Sequence, residues 1–217
     1  MTQYALITDF DGTITTIDIG NYLCIFYGLS TPEKIEYAYK TKADARQWME
    51  QNFGPVKTTV KDFEAAVLSQ AVVRAGFRDL CIYAQKNNIP FEIASGGLDI
   101  YIKPVLKKYD CEQIKILSAS AEIKPDCITV KFPDYKGLRM EEFKKSRVMY
   151  YKERGYKVIF FGDGPGDFDA ACAADIVFAT SRLEKILIEN KIPFCHFQDY
   201  TAALKIVRGE NVPVSFA

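Results

Sequence analysis

Short apolar runs recur along the chain, separated by stretches in which apolar residues return every three or four positions. Tyr4–Thr8, Ile89–Ala94, Ile114–Leu117, Lys157–Phe161 and Ile176–Phe178 have the length and apolar content of buried strands. Between them the pattern predicts helices over 77–86, from Ser95-Gly96-Gly97 to Lys108, over 140–154 and around 183–190, with a final strand–helix pair before the C-terminus. Ala121–Lys124 and Cys127–Phe132 flank Pro125-Asp126 as an antiparallel hairpin. Strands alternating with helices imply a parallel sheet covered on both faces, a doubly wound (Rossmann-like) α/β fold.

Residues 17–74 interrupt that alternation. Asn21–Tyr27, Pro32–Lys40, Ala43–Gln51 and Val60–Val73 read as four helices, and Thr31-Pro32-Glu33 has the form of an N-cap followed by proline at the first helical position. A chain of 217 residues has room for a core of about 150 residues plus an insertion. We therefore expect an α/β core over 1–16 and 75–208, a small helical cap domain over 17–74 and a loose tail over 209–217. The alternative is that these helices belong to one larger domain.

Composition narrows the partners. Lys+Arg and Asp+Glu balance at 28 each, which argues against a broad basic surface for nucleic acid. No apolar run approaches the roughly 20 residues needed to span a bilayer, and the N-terminus has no signal-peptide pattern. The six cysteines are scattered and sit mostly in apolar segments, so reduced, buried thiols and a cytoplasmic protein are expected. The expected partner is a small molecule, with no nucleic acid and no membrane.

The chemistry lies where apolar runs end. Tyr4–Thr8 stops at Asp9-Phe10-Asp11-Gly12-Thr13, Ile89–Ala94 at Ser95-Gly96-Gly97, and Lys157–Phe161 at Gly162-Asp163-Gly164-Pro165-Gly166-Asp167. In a parallel sheet these segments share the carboxyl edge, where open α/β sheets bind ligands. Four carboxylates gathered there repel one another without a cation, and an oxygen-only ligand set suits a hard ion such as Mg²⁺. Ser95 with the amides of Gly96 and Gly97 offers donors to an anion.

Together these residues resemble the haloacid dehalogenase-like superfamily of hydrolases over most of the chain. Asp9-Phe10-Asp11-Gly12-Thr13 is similar to its first motif, Ser95 to its second, and Gly162-Asp163 with Asp167 to its fourth. The third motif is a lone lysine, for which Lys144 has the spacing and Lys145 is a near alternative. The helical insertion resembles the small cap of the phosphoserine phosphatase-like branch. Ala94-Ser95-Gly96-Gly97-Leu98-Asp99 and Gly76-Phe77-Arg78 look like the branch containing the methionine-salvage phosphatase that acts on 2-hydroxy-3-keto-5-methylthiopentenyl-1-phosphate. Tyr135–Phe143 departs from that enzyme's pattern, because it contains no cysteine.

The resemblance implies a phosphomonoesterase in which Asp9 is the nucleophile and Asp11 the general acid and base. Mg²⁺ would be held by Asp9, the backbone carbonyl of Asp11, Asp163 and Asp167, and phosphate by Ser95, Gly96 and Lys144. Candidate substrates are the methionine-salvage enol phosphate, phosphoserine and head-group phosphates such as phosphocholine, with Tyr22, Phe26, Tyr27, Trp48, Phe53 and Lys57 as possible cap contacts or cap core. A phosphotransferase or phosphomutase of the same fold and a catalytically silent phosphate-binding module are the alternatives. Asp99 and Asp169 are read as helix-start acids, Asp18 as an N-cap or a residue facing the substrate, Arg78 as a surface ion pair or a ligand, and His196 as a buried, satisfied histidine.

Overall fold

A computed structural model describes residues 2–41, 45–135 and 137–210. Seven strands form one sheet: β1 (Tyr4–Thr8), β2 (Phe91–Leu98), β3 (Lys115–Ile123), β4 (Ile128–Lys131), β5 (Lys157–Gly162), β6 (Ile176–Ala179) and β7 (Cys195–His196). Their order is β4-β3-β2-β1-β5-β6-β7. The β3–β4 pair is antiparallel and every other pair is parallel. β1 is apolar over Ala5–Ile7 because alternate residues enter different cores. Leu6 packs with Ile93, Ile159 and Phe161 on one face, while Ala5 and Ile7 pack with Ala94, Val158 and Phe160 on the other.

The helices are α1 (Ile19–Phe26), α2 (Pro32–Thr41), α3 (Ala45–Phe53), α4 (Val60–Gln70), α5 (Phe77–Lys86), α6 (Asp99–Lys108), α7 (Met140–Lys152), α8 (Phe168–Ala173), α9 (Ser181–Glu189) and α10 (Thr201–Val207). α5, α6 and α10 cover the Leu6 face, and α7, α8 and α9 cover the Ile7 face. After β1 the chain builds β2, β3 and β4 on one side, then returns to β5 on the other. The sheet therefore changes direction between β1 and β5, and the crevice at their carboxyl ends is the natural ligand site.

Helices α1–α4 lie in the chain between β1 and α5. Leu23, Phe53, Phe63 and Val67 share one apolar cluster with Tyr101 and Leu98 of the sheet's Leu6 side. The outgoing and returning segments run side by side, with an antiparallel bridge between Thr15 and Val73 and a hydrogen bond from Thr16 N to Val72 O of 2.9 Å. Val72 and Val73 are thus extended, and the helix expected over 60–73 stops at Gln70, because two β-branched residues pair with the outgoing strand.

Other expectations change similarly. Ser95-Gly96-Gly97 is part of β2 rather than a strand-to-helix loop. Ala94 pairs with Leu117 and Leu98 with Ala119, so two extra residues are accommodated as a bulge, which glycine tolerates. Strand 114–117 and the first arm of the hairpin fuse into the single strand β3. His196 is exposed and lies 3.2 Å from Glu184, because alternation along β7 turns Cys195 inward and His196 outward. Arg78 pairs with Asp110 at 2.8 Å on the surface, and Asp18 caps α1 by accepting from Asn21 N at 2.6 Å. Residues 43 and 44 of the third expected helix and 211–217 of the expected tail lie outside the described residues. All six cysteines are free thiols. No helix among the described residues is long and apolar enough to cross a membrane.

Candidate active site

Asp9 follows β1 directly, its N–H donating to Phe161 O of β5 at 3.0 Å, so the first residue past the strand is held at the crevice. The chain then turns tightly: the amides of Thr13, Ile14 and Thr15 all donate to Phe10 O at 2.9–3.3 Å. Gly12 has φ +72°, and a Cβ there would sit 2.8 Å from Asp163 Cγ, so only glycine lets this loop close on the second acidic loop. Thr13 Oγ1 completes the closure by donating to Asp163 Oδ1 at 3.1 Å. Arg74 supports the turn from behind, donating to the carbonyls of Gly12 (2.9 Å), Thr13 (3.0 Å) and Gln198 (3.2 Å).

Asp163 and Asp167 follow β5. Asp167 is folded back into the crevice, its Oδ2 accepting from the amides of Asp163 (3.1 Å) and Gly164 (3.0 Å), and Gly162 leaves the space it occupies. The carboxylates of Asp9, Asp163 and Asp167 each offer an oxygen within 4.8 Å of the others. Lys144, on the buried stripe of α7 with Val148 and Tyr151, reaches between them. Its Nζ lies 2.7 Å from Asp167 Oδ1 and 3.0 Å from Asp9 Oδ2, and the side chain is only 3% exposed. Lys145 points to solvent, so the geometry brings Lys144 of the two to Asp9. The α7 start is secured by Glu142, whose carboxylate accepts from Arg139 N at 2.8 Å. Farther along, Arg147 pairs with buried Glu92 of β2 through two 2.9 Å bonds, tying α7 to the strand that carries Ser95.

Thr8 pairs with Ile93, so Ser95 stands two residues farther along the neighbouring strand, beside the Asp9 loop. Ser95 is buried, and its Oγ accepts from Gly97 N at 3.0 Å, which keeps its own O–H as a donor. Gly96 lies next to Met140 of α7.

Asp11 is set apart from the three acids. Its Oδ1 accepts from the amides of Ile19 (2.8 Å) and Gly20 (3.2 Å), and its Oδ2 from the Tyr101 hydroxyl at 2.8 Å. Its carboxylate therefore belongs to the start of α1 and not to the acidic cluster.

The electrostatics follow from burial. Desolvation pushes the Asp9 carboxyl up to about 6, with Lys144 opposing and Asp167 adding to the rise. Burial, then Asp18 and Asp9, hold Asp11 well above the usual carboxylate range. Burial, then Asp9 and Asp167, do the same for Asp163. Burial disfavours the charged lysine, yet Asp167 and Asp9 outweigh it and raise Lys144 above its ordinary value. Three crowded, poorly solvated carboxylates with one counter-ion are short of positive charge. Their all-oxygen donor set and the glycine-made clearance at Asp163 fit a small divalent cation.

Tyr101 and Arg74 are not among the residues expected from the sequence. Neither is a bridge between the inserted helices and the core: Arg182, in the first turn of α9, pairs with Glu36 of α2 and lies 4.2 Å over the Tyr39 ring. Tyr39 in turn donates to Asp18 at 2.9 Å. A tyrosine three residues into the helix after a crevice strand was a readable signal. The other contacts join residues too distant in sequence for any local pattern.

A model of the haloacid dehalogenase-like hydrolase family matches residues 6–171. A 2-hydroxy-3-keto-5-methylthiopentenyl-1-phosphate phosphatase of Lysinibacillus sphaericus is 31% identical over 215 residues, covering 92% of each chain. Among solved structures, a substrate-bound phosphoserine phosphatase covers 97% of this chain and 99% of its own, with a TM-score of 0.70 at 16% identity. A phospho-aspartyl intermediate analogue of phosphoserine phosphatase has the same score and identity and covers 97% of this chain and 100% of its own. At that identity the structures speak for the fold alone, whereas the family match spans the crevice from Leu6 through Asp167 and the near-full-length relative carries a phosphatase name. The chain belongs to the haloacid dehalogenase-like hydrolase family, as a phosphatase, a phosphoric monoester hydrolase.

Proposed function

We propose that this enzyme is a Mg²⁺-dependent phosphatase that hydrolyses a small-metabolite phosphomonoester through an aspartyl-phosphate on Asp9. The observation that carries the reading is the division of labour among the acids. Asp9 sits with buried Lys144 and within the Asp163–Asp167 group, while Asp11 is held separately by two amides and a phenol.

Asp9 attacks phosphorus, exchanging one difficult displacement for two easier ones. Asp11, kept protonated by its raised pKa, gives its proton to the departing ester oxygen and later takes one from the attacking water. Ser95, the amide of Gly96 and Lys144 hold the non-bridging oxygens, the lysine as a point charge. Asp9 and Asp163 would hold the cation, with Asp167 behind them and the Asp11 carbonyl as a further ligand. When bound, it neutralises charge on the nucleophile and the phosphoryl group. Helices α1–α4 act as a cap that excludes bulk water, and the Arg182–Glu36 pair with Tyr39 is the contact that seats α2 on the core. The named relative makes 2-hydroxy-3-keto-5-methylthiopentenyl-1-phosphate the first substrate to try.

The test is a panel of phosphomonoesters, that compound and phosphoserine included, assayed for phosphate release with Mg²⁺ and with EDTA. We expect one compound to be turned over well ahead of the rest, with EDTA costing at least about 100-fold. Undiminished turnover in EDTA would remove the metal from the reading, and no phosphate release from any ester would remove the activity.

A pH dependence follows from the raised carboxyls. Asp9 titrates near 6 in the folded protein and near 3.8 unfolded. Its stabilising contribution is therefore complete below about pH 4 and is lost as pH rises through 6. Asp11 and Asp163 act in the same direction. Glu92 opposes them only in acid: burial raises its pKa, but Arg147, Lys115 and Tyr151 more than offset this, so its contribution is lost as pH falls through its lowered value. Metal-free protein should melt about 5 °C or more higher at pH 5 than at pH 8, with the Asp9 carboxyl supplying about 1.4 kcal/mol across that window and Asp11 and Asp163 adding to it. Mg²⁺ should raise the pH 8 melting temperature more than the pH 5 one. A metal-free protein more stable at pH 8 contradicts this electrostatic picture.

A further inference from the structure

Tyr101, in the first turn of α6, is fully buried, and its ring lies between those of Phe10 after β1 (centroids 6.1 Å apart) and Phe53 of the insertion (6.3 Å). Its Oη donates to Asp11 Oδ2 at 2.8 Å. Space for that oxygen is made by two glycines. A Cβ on Gly97 would lie 2.7 Å from Tyr101 Cζ and 2.8 Å from Asp11 Oδ2, and one on Gly20 would lie 3.0 Å from Tyr101 Oη.

The two oxygens of Asp11 are consequently unequal. Oδ1 accepts from two backbone amides, Ile19 and Gly20, which occupy both of its lone pairs. A transferable proton must therefore reside on Oδ2. Tyr101 takes one lone pair of Oδ2, which leaves the other for the proton and fixes the direction in which it points. Without the phenol the carboxyl is anchored through Oδ1 alone and its plane can turn about Cβ–Cγ.

We propose that Tyr101 is a positioning residue for leaving-group protonation, holding Asp11 Oδ2 so that its proton is aimed at the ester oxygen. The inference rests on the reading of Asp11 as general acid. In the first step a bond forms between an Asp9 oxygen and phosphorus. The bond from phosphorus to the ester oxygen breaks with its electron pair, and that oxygen takes the Asp11 proton to become the alcohol. In the second step water bonds phosphorus and passes a proton to Asp11, and the phosphorus–Asp9 bond breaks, returning carboxylate and phosphate. Tyr101 gives up no proton in either step.

The readout is the dependence on leaving group. An aryl ester such as 4-nitrophenyl phosphate departs without a proton, whereas glycerol 2-phosphate needs one. Tyr101→Phe removes only the oxygen. It should lower kcat/KM, which reports the steps up to the aspartyl-phosphate and not the hydrolysis common to both esters, about tenfold or more on glycerol 2-phosphate, within the range of general acid catalysis, while changing 4-nitrophenyl phosphate less than about twofold. Asp11→Asn is the reference and should show the same selectivity more strongly. Equal losses on both esters for Tyr101→Phe, or none on either, overturn the proposal while Asp11→Asn remains selective. A non-selective Asp11→Asn overturns the general-acid reading itself, and the proposal with it. Should Tyr101→Phe fail to fold, Gly20→Ala crowds the same oxygen without deleting it, and the same ratio of rates decides.

Discussion

Asp9→Asn is expected to reduce phosphate release by about 10⁴-fold or more, because an amide cannot supply the oxygen nucleophile on which both steps depend. The substitution is nearly isosteric, and the backbone contact that holds position 9, its N–H to Phe161 O at 3.0 Å, is untouched. Lys144 keeps its 2.7 Å partner Asp167. Removing a carboxyl that burial already pushes up to about 6 relieves crowding with Asp167 and Asp163. The variant should therefore melt at or above the parent temperature at pH 8 while being inactive, a combination that separates chemistry from folding. Turnover within tenfold of the parent, measured as phosphate released on the best ester of the panel, excludes Asp9 as nucleophile.

The parts legible in the sequence were those encoded locally. β1 announces itself because both of its faces are buried, so no charged residue interrupts Tyr4–Thr8, and the acids that follow must lie at the sheet's carboxyl edge. Ser95-Gly96-Gly97 looks like a turn in sequence because of its two glycines. Here they carry a bulge within β2, and Gly97 is small for a reason written elsewhere in the chain: it makes room for Tyr101 and Asp11. The choice between Lys144 and Lys145 was available from spacing. Residues 144, 148 and 151 form one stripe, and Val148 and Tyr151 mark that stripe as buried. Alternation likewise exposed His196, though its aromatic and cysteine neighbours suggested burial. No such pattern foretells Arg74, whose acceptors Gly12 and Thr13 lie 62 and 61 residues away, or Arg182, which meets Glu36 across 146 residues. Those contacts exist only once the sheet and the inserted helices are assembled.

Lys144→Met tests how far this one buried cation supports both fold and reaction. Methionine replaces the aliphatic stem, so the loss is chiefly the ammonium group lying 2.7 Å from Asp167 and 3.0 Å from Asp9. At pH 8 two buried carboxylates are then uncompensated, and breaking a buried ion pair from one side costs about 3–5 kcal/mol, measured by urea unfolding of the metal-free protein. At pH 5 the cost should fall to about half or less, because protonation of Asp9, whose carboxyl burial pushes up to about 6, removes one of the two uncompensated charges. With Mg²⁺ present the variant should recover part of its stability, yet kcat/KM should remain about 10²- to 10³-fold low, since the phosphoryl oxygens have lost a preorganised donor. Lys144→Arg should not restore activity, because a planar fork is a poor substitute for a point charge in a site 3% exposed between two carboxylates. Equal destabilisation at both pH values with kcat/KM within about threefold of the parent would reduce Lys144 to a packing residue. The phosphate-binding role would then have to rest on Ser95 and the Gly96 amide.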